Sequence, residues 1–165
     1  NALSNSHIEM VKRAISDKRY MGALFLEDDV TFMKGWREYL TQLIEKVDPD
    51  CVSLNCFYYN YSDENKVYYH RATFAFSTGA YYLSWDAMNE LVNEAMKIPI
   101  GNMDIERLLY ETFATTYTTT PRLALQQWCL YDSFIQSSPQ MEIYKKMLRE
   151  IYLPKYGKLY PYFVE

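Results

Sequence analysis

The chain has 165 residues, a formal net charge of −4, and 49% hydrophobic against 23% charged residues. That length suits one domain on a prior of ~100–200 residues, buries roughly two-thirds of the unfolded chain's surface, and carries too much apolar content for a disordered chain. Lys and Arg form no cluster, which excludes the electrostatic footprint of a nucleic-acid binder, and no apolar run approaches the ~18–20 residues that span a bilayer.

Cys51, Cys56 and Cys129 make an odd set without motif spacing, which argues against a disulfide framework and a structural zinc site. Residues 1–7 are polar and form no signal-peptide core. These features predict a cytoplasmic protein, at most peripheral to a membrane. The chain lacks an initiating Met, which suggests a trimmed or incomplete start.

Ile8, Val11, Ala14 and Ile15 recur at helical spacing, so residues 6–18 read as an amphipathic helix capped by Ser4, Asn5 or Ser6. Residues 22–26 (GALFL) form a short continuous apolar run, the signature of a strand buried on both faces. Trp36, Leu40, Leu43, Ile44 and Val47 mark a second helix, stopped by Asp48-Pro49-Asp50. Residues 51–57 read as a strand, 58–66 as a polar surface loop, and 67–73 and 74–83 as two further strands. Ser84 is placed to cap a helix whose apolar face is Met88, Leu91, Val92, Ala95 and Met96, ended by Pro99. Residues 102–113 suit a short helix, 115–120 an extended β-branched stretch, and 121–127 a strand or extended loop. A helix from Met141 leads into a Tyr- and Pro-rich tail. The alternation of helices and strands predicts one α/β domain over residues 1–165 with a mixed sheet.

The sharpest feature is Glu27-Asp28-Asp29 at the end of the first strand. Adjacent carboxylates at a strand end are costly unless partnered, and a hard divalent cation such as Mg2+ or Mn2+ resolves that cost. Ligands of open α/β sheets bind outside the carboxyl ends of strands, which is where the triplet falls. In an extended segment Glu27 and Asp29 share one side and Asp28 takes the other. The competing reading is a solvated acidic loop before the helix at Trp36. An anionic, phosphate-bearing substrate would need such a cation, placed basic residues or backbone N–H groups.

In one order the chain carries ALSNSHIEMVKRAI, GALFLEDDV, STGAYYLSWDAMNEL, NMDIERLL, PRLALQQ and DSFIQ. That ordered set resembles glycosyltransferase family 25, the lipooligosaccharide galactosyltransferases and their relatives, over about residues 2–135. The resemblance implies a GT-A-like (Rossmann-like) mixed sheet flanked by helices, without the family's first βα units, which are not found here. It also implies an inverting transferase that moves a hexose of the galactose or glucose type from a UDP-sugar to a saccharide or glycolipid acceptor. On that basis Asp29 and Glu27 are candidate ligands for Mn2+ or Mg2+. Glu27, Asp28, His7 and Gly79 are candidate donor contacts, Asp104 is the candidate catalytic base, and Gln126 and Gln127 are candidate acceptor contacts. Each has a plainer alternative. Asp104 suits a helix cap beside Asn102, His7 a satisfied core histidine, Gly79 tight strand packing, and the glutamines exposed amides. His70-Arg71 reads as a surface pair or a phosphate contact, Asp132-Ser133 as a cap.

No His-x-x-His pair, Gly-Lys-Ser/Thr loop or Gly-x-Ser-x-Gly elbow is present, so zinc hydrolase, P-loop ATPase and serine hydrolase readings lose their usual support. The remaining competitor is a catalytically silent glycan- or protein-binding module that keeps the fold.

Overall fold

The computed structural model describes residues 2–17, 20–55, 68–71, 77–99, 101–113, 115–120 and 122–126. In chain order these give α1 (Ala2–Ser16), β1 (Gly22–Leu26), β2 (Val30–Phe32), α2 (Trp36–Val47), β3 (Cys51–Ser53) and β4 (Tyr68–Arg71). β5 (Ala80–Ser84), α3 (Trp85–Ala95), α4 (Ile105–Thr112), β6 (Thr116–Thr120) and β7 (Ala124–Gln126) follow. The class is mixed α/β. Five strands form one sheet in the order β1-β5-β3-β6-β4, and β2 and β7 form a separate two-stranded ribbon. β3 and β6 are parallel, and every other pairing in the large sheet is antiparallel.

Alternation along β5 divides the core. Tyr81 and Leu83 face one side, where Ile8 and Val11 of α1, Met88 and Leu91 of α3, and Ile105 and Leu108 of α4 pack. Ala80 and Tyr82 face the other, against Leu40 and Leu43 of α2 and Met33, Leu123 and Ala124 of the ribbon. Three helices therefore cover one face of the sheet, and α2 with the ribbon covers the other. Among the described residues no helix is long and apolar enough to cross a membrane.

Several elements differ from the sequence expectation for identifiable reasons. α1 begins at Ala2, four residues early, and Ser6 lies inside it, with its hydroxyl donating to the Ala2 carbonyl. β1 is only half-buried, with Phe25 inside and Leu26 39% exposed. It is an edge strand among the described residues, so it lacks the double cover of an interior strand. β3 keeps only three residues. Leu54 then donates to the Ala80 carbonyl and accepts from the Ala124 N–H, which ties the sheet to the ribbon. Residues 77–79 bend instead of extending β5, and α4 starts at Ile105, not Asn102. The strand of residues 67–73 is met by β4, whereas residues 56–66 and the tail from 127 lie outside the described residues. α2 keeps its predicted span, and it ends because Asp48 turns left-handed (φ 43°) while its N–H bonds the Ile44 carbonyl. Ser84 caps α3 as expected, accepting from the Ala87 N–H at 3.2 Å.

Candidate functional site

Four segments meet at the carboxyl end of β1. Glu27 leaves the strand with its N–H on the Gly79 carbonyl at 2.8 Å. Asp28 and Asp29 then turn the chain into β2. This corrects the expected alternation: the triplet is a strand end followed by a turn, because Val30 must reverse to pair with β7. Glu27 points inward and is partly buried, Asp28 is exposed and Asp29 is intermediate.

His7 approaches from α1 and is 1% exposed. Its Nδ1 shares a 2.9 Å hydrogen bond with the Tyr81 hydroxyl, and its Nε2 lies 3.7 Å from Glu27 Oε1. The Thr78 hydroxyl donates to the same Oε1 at 3.1 Å. His7 is thus a satisfied core histidine that adjoins the triplet through Glu27. Burial, then Cys51 and Glu27, drives the Tyr81 phenol far above its ordinary range, so it keeps its proton. Burial likewise pushes the neighbouring Cys51 thiol up to about 12, which leaves it an inert packing group.

Residues 77–79 are shaped from beneath by Asn55, which is fully buried. Its Nδ2 donates to Ser77 Oγ at 2.8 Å and its Oδ1 accepts from the Ala80 N–H at 3.3 Å. Ser77 Oγ also accepts from the Gly79 N–H. Gly79 is buried in this network, and its carbonyl anchors Glu27.

Asp104 caps α4, where Oδ1 accepts from the Glu106 N–H at 3.1 Å and the Arg107 N–H at 3.3 Å. The capping role foreseen for it is therefore filled, and its side chain stays exposed. The N–H of Ile105 is taken by Ser4 Oγ at 3.3 Å, which pins α4 to α1.

Glu106 was not foreseen from sequence. It stands in the first turn of α4, accepts a hydrogen bond from the Thr78 backbone, and feels Asp104, Glu27 and His7 together. Its only advance signal was its place two residues after Asp104. Burial, followed by Asp104 and then Glu27, raises its carboxyl above the ordinary 4.5, against the opposing pull of Thr78 and His7. A carboxyl raised on folding stabilises the fold fully below its unfolded value, and that contribution is lost as pH rises through the folded value. Glu106→Gln should therefore be more stable than the parent at pH 7 and equal to it near pH ~4, read as the difference in urea midpoints. An equal difference at both pH values would mean that folding leaves Glu106 unshifted.

Of the remaining candidates, Gln126 pairs in β7 opposite Val30, the residue directly after Asp29. Gln127 and Asp132-Ser133 lie outside the described residues, as do the side chains of His70 and Arg71. The fold thus brings His7, Glu27, Gly79 and Asp104 to one end of the sheet, and places Gln126 beside the turn. No protein-family model matches the chain, and no curated protein matches it.

Proposed function

We propose that the chain is a metal-dependent, inverting hexosyltransferase domain of GT-A-like architecture, akin to family 25. It would take a galactose- or glucose-type sugar from a UDP-sugar and pass it to a saccharide or glycolipid acceptor. The observation that carries this reading is the acidic triplet at the carboxyl end of β1, with Glu27 held by His7 and Thr78 and faced by the first turn of α4. A cytoplasmic protein working at a membrane surface fits such an acceptor.

Asp29 and Glu27 would hold Mn2+ or Mg2+. Carboxylate oxygens suit both ions, and such ions commonly take one or two protein carboxylates and complete their shell with phosphate and water. When bound, the cation neutralises charge on the departing diphosphate. The chain's own part is to orient the donor and move a proton. Asp28, exposed at the turn, is available to a ribose hydroxyl, and buried Gly79 serves the donor indirectly by anchoring the Glu27 backbone through its carbonyl. Asp104 takes the proton of the acceptor hydroxyl as that oxygen bonds to the anomeric carbon. The bond from that carbon to the diphosphate oxygen breaks on the opposite face, and UDP leaves with the electron pair. Gln126, next to the turn, and Gln127 would bind the acceptor.

One observation favours a silent glycan-binding module instead: Asp104 already spends Oδ1 on capping α4. Calorimetric titration with UDP, with and without Mn2+, tests the donor site first. The expected result is Mn2+-dependent binding that Asp29→Ala weakens by at least about tenfold, the loss of one charge-assisted ligand. Absence of UDP binding with Mn2+ present would overturn the donor site and leave the module. UDP binding without turnover on any acceptor would assign the fold to binding alone.

A further inference from the structure

Glu27 is the first residue past β1, and one short segment holds it at two points. Its N–H donates to the Gly79 carbonyl at 2.8 Å, and its Oε1 accepts from the Thr78 hydroxyl at 3.1 Å. The first contact fixes the backbone. The second fixes the far end of a long side chain that otherwise spreads over several rotamers. Thr78 is 4% exposed, and its own place is set from both sides. Ser77 before it and Ala80 after it are tied to fully buried Asn55, at 2.8 and 3.3 Å. Its backbone N–H donates to the Glu106 carboxylate. Thr78 therefore stands between two carboxylates, serving Glu27 with its side chain and Glu106 with its backbone.

His7, on the same oxygen, does not replace it. Its Nε2 lies 3.7 Å from Oε1, beyond hydrogen-bonding range, and its Nδ1 is engaged with the Tyr81 hydroxyl at 2.9 Å. The imidazole packs beside the carboxylate, and the threonine hydroxyl orients it. Carboxylates that ligate metals are commonly hydrogen-bonded in this way by groups that never touch the metal, and loss of such a partner costs about 10- to 100-fold in affinity. A hydroxyl suits that task, since it donates one hydrogen bond and brings no positive charge to compete with a cation. We infer that Thr78 is a positioning residue of the donor site: its hydroxyl holds the Glu27 carboxylate in the orientation that binds Mn2+ or Mg2+, and its backbone ties that orientation to the first turn of α4. The inference rests on the donor-site reading above and adds to it a residue that touches neither nucleotide nor metal.

The test uses the whole 165-residue chain. Mn2+ binding is read from the EPR signal of free Mn2+, with and without UDP and against a protein-free UDP control. UDP binding is read by calorimetry, with and without Mn2+. Thr78→Val keeps the shape and the backbone N–H and removes the hydroxyl, and it should weaken Mn2+ binding by about 10- to 100-fold. Thr78→Ser keeps the hydroxyl and removes a methyl from a buried position. It should lower Tm yet bind Mn2+ within about threefold of the parent. Affinity should thus follow the hydroxyl and not the melting temperature, which a purely structural role would not produce. Thr78→Ala against Thr78→Ser repeats the comparison at smaller size and decides it should the valine variant not fold. Equal Mn2+ affinity in the parent and the hydroxyl-free variants would overturn the inference. A serine variant as weak as the alanine variant would do the same, since the methyl and not the hydroxyl would then matter. An equal loss of UDP binding in the metal-free protein would place Thr78 at the nucleotide and also overturn it. Should the parent bind no Mn2+ even with UDP present, the donor-site reading falls and the inference with it.

Discussion

His7→Ala is expected to destabilise the domain by about 3 kcal/mol, a drop in Tm on the order of 10 °C for a chain of this size. Two losses add. The imidazole is 1% exposed, so its removal leaves a cavity between α1 and the sheet. The Tyr81 hydroxyl, itself in the buried core, loses the partner it holds at 2.9 Å, and an unmade buried hydrogen bond costs about 1–3 kcal/mol. His7→Phe separates the two, since it restores most of the volume and none of the hydrogen bonding. It should recover roughly half of the loss while leaving Glu27 without the neighbour at 3.7 Å. Chemical denaturation of the three proteins measures this directly. A loss well under 1 kcal/mol for His7→Ala would show that the Tyr81 contact contributes nothing. UDP titration of His7→Phe then reads what the histidine does for Glu27 once packing is repaired.

Gly22→Ala is the second large effect. A Cβ at Gly22 would sit 2.3 Å from the Tyr82 hydroxyl and 2.6 Å from the Leu83 carbonyl oxygen. The tyrosine tip can swing aside. The carbonyl cannot, because it belongs to β5, and Gly22 is held against that strand opposite Ser84. Relief requires the start of β1 to separate from β5, at a cost of about 2–3 kcal/mol. Since β1 delivers Glu27 to the site, the same substitution should also weaken Mn2+-dependent UDP binding. Full stability in Gly22→Ala, by urea denaturation, would mean that the β1–β5 register is softer than the close approach implies.

What the sequence revealed, and what it hid, follows from how far each signal reaches. β1, α2 and α3 were legible because their evidence is local: an unbroken apolar run, a helical period, and Ser84 at a cap. The β2–β7 ribbon was not, because three-residue strands such as Val30–Phe32 exist only through their pairing with distant Ala124–Gln126. The half-burial of β1 depends on its place at the sheet edge, which periodicity does not encode. At the site, the triplet stood out as carboxylates at a strand end, and Asp104 only through the family resemblance. Glu106 did not, because a glutamate in a helix is ordinary until the fold sets it beside Thr78. The extended alternation assigned to Glu27-Asp28-Asp29 failed for the same reason, since the turn there is imposed by a partner strand nearly a hundred residues away in sequence.

The position of β3 bears on how the molecule assembles. It is hydrogen-bonded on one side to β5 and on the other to β6, and both follow it in the chain. The middle of the sheet therefore cannot close while the chain is being made until Thr116–Thr120 has emerged. Loop-closure entropy is spent before those pairings return anything, which slows folding of non-local sheets. Chains halted before β6 therefore carry β1, β3 and β5 but leave one side of β3 unpaired.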